Sequence, residues 1–190
     1  MPRVTGLGYG GGCLPKDVRA FRATASALGI GSVVSLLTSV DAINEGRRDR
    51  VVALARDAVG GTLDGKRVAV LGVAFKPNSD DIRDSASLAV CGRLMAEGAI
   101  VSAHDPVAMP NAAKRQPDLV CARSVSAAAE GADLVLHLTE WSDYQAIDPA
   151  ALARVVARRV IIDARCCLDA GLWHDAGWTV HALGRSSSAQ

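Results

Sequence analysis

Apolar residues recur at helical spacing through the first sixty positions and then give way to short apolar runs. From Asp17 to Leu28 they fall at Val18, Phe21, Ala25 and Leu28, three and four residues apart, which predicts an amphipathic helix stopped by Gly29 and Gly31. The spacing returns between Ser32 and Val59, at Val33, Leu36, Leu37, Val40 and Ile43 and then at Val51, Leu54, Ala55 and Val59. The stretch between those sets, Asn44 to Arg50, is polar, so a bend or break is expected there, and Gly60-Gly61 ends the run. Past Leu63-Asp64-Gly65 the pattern changes. Arg67 to Gly72 is an apolar run bounded by turn residues, as a buried strand is. Ile100–His104, Leu119–Cys121, Ala132–Leu138, Val160–Asp163 and Trp178–Leu183 read as further strands. Ser85–Glu97, with Leu88, Cys91, Leu94 and Met95 inward, reads as a helix, as do Ser126–Glu130, Pro149–Ala157 and Leu168–Ala176. Strands alternating with helices predict an α/β fold with a doubly wound parallel sheet. The expected division is a helical domain over 1–64, an α/β domain over 65–184 and a disordered tail over 185–190.

Composition narrows the function classes without choosing one. The chain has 190 residues, a net charge of +1, 49% hydrophobic and 4% aromatic residues. The balanced charge gives no reason to expect a nucleic-acid partner. No stretch reaches the ~18–20 apolar residues of a membrane span, and the first residues lack a signal peptide's apolar run, so no membrane association and a cytoplasmic location are expected. Five cysteines without a C-x-x-C pair predict neither a disulfide framework nor a zinc site.

The densest chemistry lies in Gly6-Leu-Gly-Tyr-Gly-Gly-Gly-Cys13-Leu-Pro-Lys-Asp17. Gly6, Gly8 and Gly11 match G-x-G-x-x-G formally, but helices follow and only five residues precede, so the strand and the distant acidic residue of a dinucleotide loop have no place. Glycine is used where φ is positive or where a ligand must approach the backbone; a flexible tag is the bland alternative. Pro15 and Asp17 suit the first turn of a helix. Cys13 then stands at a helix N-terminus near the Lys16 ammonium, placed to react as a thiolate. Asp17, one turn on, is placed to orient a water toward a bond formed at that sulfur. Cys91 and Cys121 read as core, and Cys166-Cys167 as thiols, since a vicinal disulfide would be strained.

A second loop, Val73 to Asp84, is much longer than an ordinary strand-to-helix connection and leaves the end of a strand where open α/β sheets bind ligands. Only four lysines stand against seventeen arginines, and Lys16 and Lys76 fall in these two loops. Lys76 and Arg83 suit phosphate contacts, and Asp84 suits a helix cap; Asp80-Asp81 is not expected to hold a metal. Arg165 follows a strand, and either faces the same crevice or pairs at the surface with Asp163 or Asp169. The four histidines have no partner at metal spacing and are assigned no role.

Taken in order, Gly8-Tyr-Gly-Gly-Gly-Cys13-Leu-Pro-Lys-Asp17, Leu71-Gly-Val-Ala-Phe-Lys76-Pro-Asn-Ser-Asp-Asp-Ile-Arg83, Asp105-Pro106, Thr139-Glu-Trp141 and Asp163-Ala-Arg165 resemble the UDP-glucose/GDP-mannose dehydrogenase family. The resemblance implies a partial, all-helical central (dimerisation) domain followed by a Rossmann-like domain that binds the UDP sugar. It also implies oxidation of the sugar C6 alcohol to a carboxylate with two hydride transfers to NAD, through a thiohemiacetal and thioester on Cys13, with Asp17 activating water. By the same resemblance Val4, Thr5, Gly6, Leu7, Gly8, Tyr9, Gly10, Lys76 and Arg165 match substrate contacts, and Lys16 and Arg83 match cofactor contacts. No metal is implied. Implied partners are a UDP-sugar substrate, a second copy through the helical domain (a homodimer or larger homo-oligomer) and a separate N-terminal Rossmann half. That Rossmann domain, the spine helix with its lysine and asparagine, and the arginine before the glycine loop are not matched in this chain, and Ala164 stands where glycine is usual. The isolated chain is therefore expected to show no NAD-dependent turnover. The alternatives are a non-catalytic nucleotide-sugar-binding module and a truncated remnant.

Overall fold

A computed structural model describes residues 6–183. Val4 and Thr5, and the tail over 185–190, lie outside the described residues. The chain opens with two helices, α1 (Leu14–Ala27) and α2 (Gly31–Ala58), and continues as β1 (Arg67–Leu71), α3 (Ala86–Ala96), β2 (Ile100–His104), α4 (Met109–Arg115), β3 (Val120–Cys121), α5 (Val125–Ala129), β4 (Leu134–His137), α6 (Ser142–Gln145), α7 (Pro149–Leu152), β5 (Val160–Asp163), α8 (Ala170–Asp175) and β6 (Thr179–Ala182). The six strands form one parallel sheet in the order β3-β2-β1-β4-β5-β6. The order reverses between β1 and β4, and the loops that leave those two strands flank the switch point, where doubly wound sheets bind ligands.

The alternation of inward residues along the strands builds two cores. Val68, Val70, Val101, Leu134, Leu136 and Ile162 pack on one face with Leu88 and Leu94 of α3. Ala69, Leu71, Val135 and Ile161 pack on the other with Trp141, Tyr144, Trp173 and Trp178. The first core takes in Leu7 from the glycine loop and Val51, Val52 and Ala55 from the C-terminal half of α2. The helical segment is thus joined to the sheet by packing, and by ion pairs from Arg56 to Glu97 (2.6 Å) and from Arg93 to Glu45 (2.8 Å) and Asp49 (2.6 Å).

Four local expectations change. Helix α2 runs unbroken through Asn44–Arg50, because Asn44 and Arg48, one turn apart, are both buried and turn toward the glycine loop instead of interrupting the helix. The helix expected over 149–157 stops at Leu152; the N–H groups of Ala157 and Arg158 donate to Ala132 C=O and lead the chain into β5. Helices α4 and α6, of seven and four residues, are too short for periodicity to reveal. Cys121 is not core: β3 is a two-residue edge strand and the thiol is exposed.

Candidate functional site

The glycine loop lies across the seam between α2 and the sheet, and each glycine meets a different neighbour. A methyl group on Gly6 would lie 2.8 Å from an Arg165 guanidinium nitrogen, and one on Gly10 would lie 2.4 Å from Asp84 C=O. At Gly11 it would meet the Phe75 ring at 2.7 Å, and at Gly12 the Arg83 guanidinium at 2.6 Å. The sharpest fit is at Gly8. Its φ is +97° and a methyl would fall 2.1 Å from Asn44 Oδ1, so both conformation and space demand glycine. Asn44 holds the loop at two points: its Oδ1 accepts from Tyr9 N–H (2.7 Å) and its Nδ2 donates to Tyr9 C=O (3.0 Å). The Tyr9 hydroxyl donates to Asp41 (2.7 Å), and partial burial together with that carboxylate pushes the phenol up to about 12. Gly11 N–H donates to Arg83 C=O (3.0 Å), tying this loop to the one after β1.

Cys13 is the N-cap residue of α1, exposed, with Pro15 in the first turn. The N–H of Asp17 donates to Cys13 C=O (2.9 Å), so the carboxylate stands one turn on, where it meets Lys16 at 3.6 Å. Cys13 and Asp17 thus open to solvent at a helix start, on a backbone the glycines hold against the sheet.

The loop after β1 is folded on itself. Phe75 N–H donates to Asp81 C=O (3.1 Å), and Ser85 Oγ donates to Val73 C=O (2.6 Å) while accepting from Leu88 N–H at the start of α3. Arg83 pairs with Asp81 (2.6 Å), and that guanidinium holds the Asp81 carboxyl below its ordinary range. Asp84, expected as the helix cap, yields that role to Ser85; it bonds Arg19 of α1 instead (2.8 Å). Lys76 is exposed, its ammonium 5.3 Å from the Phe75 ring centre.

Arg165 is buried, and burial lowers its guanidinium from the ordinary value. Its Nε donates to Leu138 C=O (2.7 Å) and lies 3.0 Å from Glu140. It faces the crevice beside Gly6, and neither Asp163 nor Asp169 is its surface partner: Asp163 accepts from the Arg165 backbone N–H (3.0 Å), while Asp169 caps α8. The glycine loop therefore brings Arg165, Arg83 and the Phe75-Lys76 pair to one edge and runs on into Cys13.

Two residues carry this arrangement in ways the sequence did not specify, although Asp105-Pro106 stood out as a candidate at the sheet edge. Asn44 opens the polar stretch Asn44–Arg50, which the sequence presented as a bend and not as a loop-holding site. The other is Asp105, at the end of β2. Its Oδ2 accepts from Val73 N–H (2.8 Å) and Ala74 N–H (3.0 Å), and its Oδ1 from Val107 and Ala108 N–H. In a dinucleotide-binding sheet the first strand's loop offers its N–H groups to a pyrophosphate, and an acidic residue after the second strand takes a ribose. Here that acid consumes those N–H groups itself. Gly72 (φ +92°) is set against Thr139, 2.4 Å from where a methyl would stand, and so serves strand packing. The sheet has the strand order of a dinucleotide fold, but its first loop does not fit NAD.

Comparison with known proteins fits both halves. Residues 2–46 match the central domain of the UDP-glucose/GDP-mannose dehydrogenase family, and residues 69–170, more than half the chain, match that family's UDP binding domain. The chain belongs to the UDP-glucose/GDP-mannose dehydrogenase family. Among its relatives is UDP-glucose 6-dehydrogenase AglM of Haloferax volcanii, 42% identical over 160 residues, which cover 84% of this chain and 36% of that protein. The UDP-glucose 6-dehydrogenase of Pseudomonas aeruginosa is 35% identical over 186 residues, 95% of this chain and 41% of that one. Among solved structures, a UDP-glucose dehydrogenase from Pyrobaculum islandicum superimposes with a TM-score of 0.75 at 33% identity, covering 85% of this chain and 35% of that one. An NDP-N-acetyl-D-galactosaminuronic acid dehydrogenase from Methanosarcina mazei gives 0.77 at 26% identity, covering 95% and 39%. The chain spans about two fifths of the length of the relatives it matches. No helix among the described residues is long and apolar enough to cross a membrane.

Proposed function

We propose that this chain is the thiol-bearing, nucleotide-sugar-binding part of a UDP-glucose 6-dehydrogenase, the enzyme type that oxidises the sugar C6 alcohol to a carboxylate. The observation that carries the reading is the path of the glycine loop, which runs from Arg165 past Asn44, Phe75 and Arg83 into Cys13. Arg165 and Lys76 hold the diphosphate sugar, and the backbone over Gly6, Leu7, Gly8, Tyr9 and Gly10 lines the sugar; Val4 and Thr5 extend that lining outside the described residues. Arg165, buried and already bonded to Leu138 C=O, is held in place before the ligand arrives, which limits the ordering cost of binding.

Cys13 Sγ adds to the carbon of a C6 aldehyde as the carbonyl oxygen takes a proton, giving a thiohemiacetal. At the thioester stage Asp17 takes a proton from water as its oxygen attacks the acyl carbon, and the sulfur leaves as thiolate to re-form the free cysteine. Both hydride removals belong to NAD, which the sheet described above does not fit; Lys16 and Arg83 approach that cofactor only from the rim. The nicotinamide site is supplied by protein outside this chain.

The test is NADH formation from UDP-glucose by the chain alone and with an added N-terminal Rossmann domain of a close relative. The reading expects no turnover alone and Cys13-dependent turnover on reconstitution. Robust activity from the isolated chain, or reconstituted activity that survives Cys13→Ala, overturns it.

A further inference from the structure

The loop that leaves β4 at the switch point, Thr139-Glu140-Trp141, takes no part in the chemistry proposed above, yet each of its side chains meets a neighbour. Thr139 is fully buried, and its Oγ1 donates to Ala74 C=O (2.8 Å). Trp141, also buried, donates from Nε1 to Asp105 Oδ2 (3.3 Å). Between these two anchors stands Glu140, whose Oε2 lies 3.0 Å from Arg165 Nε. The single Nε proton goes to Leu138 C=O (2.7 Å), so Glu140 Oε2 is buried beside the guanidinium with no hydrogen bond among the described residues. Asp163, also close by, is committed elsewhere: it accepts from His137 Nδ1 (2.9 Å) and from the backbone N–H groups of Arg165 (3.0 Å) and Leu168 (2.8 Å). Glu140 is thus the uncommitted counter-charge of a buried arginine. The far end of that arginine faces the glycine loop, with Nη1 2.8 Å from where a methyl on Gly6 would stand.

We propose that Glu140 is a positioning residue that sets, through Arg165, how strongly the chain holds a phosphate-bearing ligand. It opposes the guanidinium's charge before a phosphate arrives and competes with the phosphate when it does. This role rests on the reading of Arg165 as a contact to the diphosphate. A buried charge is costly unless an opposite charge lies beside it, and in a poorly screened site that attraction is strong. The same counter-charge weakens the pull on a second anion, because it lowers the local potential and repels the incoming group. Glu140 Oε2 takes no proton from Arg165, so a carboxamide at this position removes charge and keeps an oxygen that can take the same place. The consequence has a distinctive sign. Without the Glu140 charge the guanidinium is buried and less compensated, so the chain loses stability. Its attraction for a phosphate is then unopposed, so affinity rises. A residue that only propped the loop would lower both together.

The test is calorimetric titration of the whole chain with UDP and with uridine, beside thermal melts, for wild type, Glu140→Gln, Arg165→Ala and the double variant. Glu140→Gln is expected to melt lower and to bind UDP at least about threefold more tightly, with no gain for uridine, which carries no phosphate. In the Arg165→Ala background the gain disappears. Glu140→Asp, which sets the charge back by one methylene, moves stability and affinity in the same directions by less, and reads the effect if the Gln variant does not fold. Where wild type binds UDP and Arg165→Ala weakens it, equal or weaker binding by Glu140→Gln, or a gain that survives Arg165→Ala, overturns the role of Glu140 and leaves the dehydrogenase reading standing. A wild type that does not bind UDP, or binds it as well without Arg165, overturns both.

Discussion

Gly8 and Asn44 are the pair on which the loop geometry turns. Gly8→Ala forces a side chain into a left-handed backbone and against Asn44 Oδ1, and is expected to lower stability by about 1–3 kcal/mol, read as a lower denaturant midpoint. Asn44→Ala removes both bonds to the Tyr9 backbone and leaves a half-buried donor and acceptor without their partner, at about 1–3 kcal/mol. In the double variant the collision disappears, so the two costs should sum to more than the measured total; strict additivity would separate Gly8 from Asn44. The Asp81–Arg83 pair gives a pH signature. The Asp81 carboxyl is depressed in the folded chain, so its contribution is fully present above the ordinary carboxylate value of about 3.9 and is lost as pH falls through the depressed one. Asp81→Asn should therefore be less stable than wild type near neutrality and equal to it in strong acid. A difference between the two that persists unchanged into strong acid would contradict this.

The helices and strands divide by how local their causes are. The strands from Arg67, Ile100 and Val160 and the helix from Ser85 were legible because burial imposes a short-range pattern on each. Cys13 at a helix start was legible too, because Pro15 and Asp17 announce the first turn. The continuity of α2 was not, because the reason for its polar centre is a loop more than thirty residues away in sequence, where Tyr9 meets Asn44. Arg165 was half legible: its place after a strand was plain, but its burial depends on Leu138 and Glu140 from another strand's loop. Asp105 was legible as a residue at the sheet edge, but its hold on the Val73 and Ala74 N–H groups is a product of sheet register, which no single-sequence spacing contains. The apolar positions of the helical pair tell the opposite story. Phe21, Leu28, Leu36 and Ile43, which fall at helical spacing on apolar faces, are exposed. Periodicity marks an apolar face and leaves its partner unnamed; a second copy of the chain is the partner we propose for it. Phe21→Glu with Leu36→Glu should then shift the chain from dimer to monomer in light scattering at unchanged helicity. A wild-type chain that is already monomeric contradicts that assignment.

At the scale of the whole molecule, the chain couples an exposed thiol at the end of a glycine-built loop to a sheet whose dinucleotide loop is closed by Asp105. Under the proposed function that combination binds the nucleotide sugar and forms a bond to it, and the hydride steps fall to protein outside the described residues. The measurement that bears most directly on this is calorimetric titration of the chain with UDP and, separately, with NAD. The account predicts saturable UDP binding that is weakened about tenfold or more by Arg165→Ala, a loss of charge-assisted hydrogen bonds, and no saturable binding of NAD. No heat with UDP at millimolar concentration, or tight NAD binding by the chain alone, would contradict it.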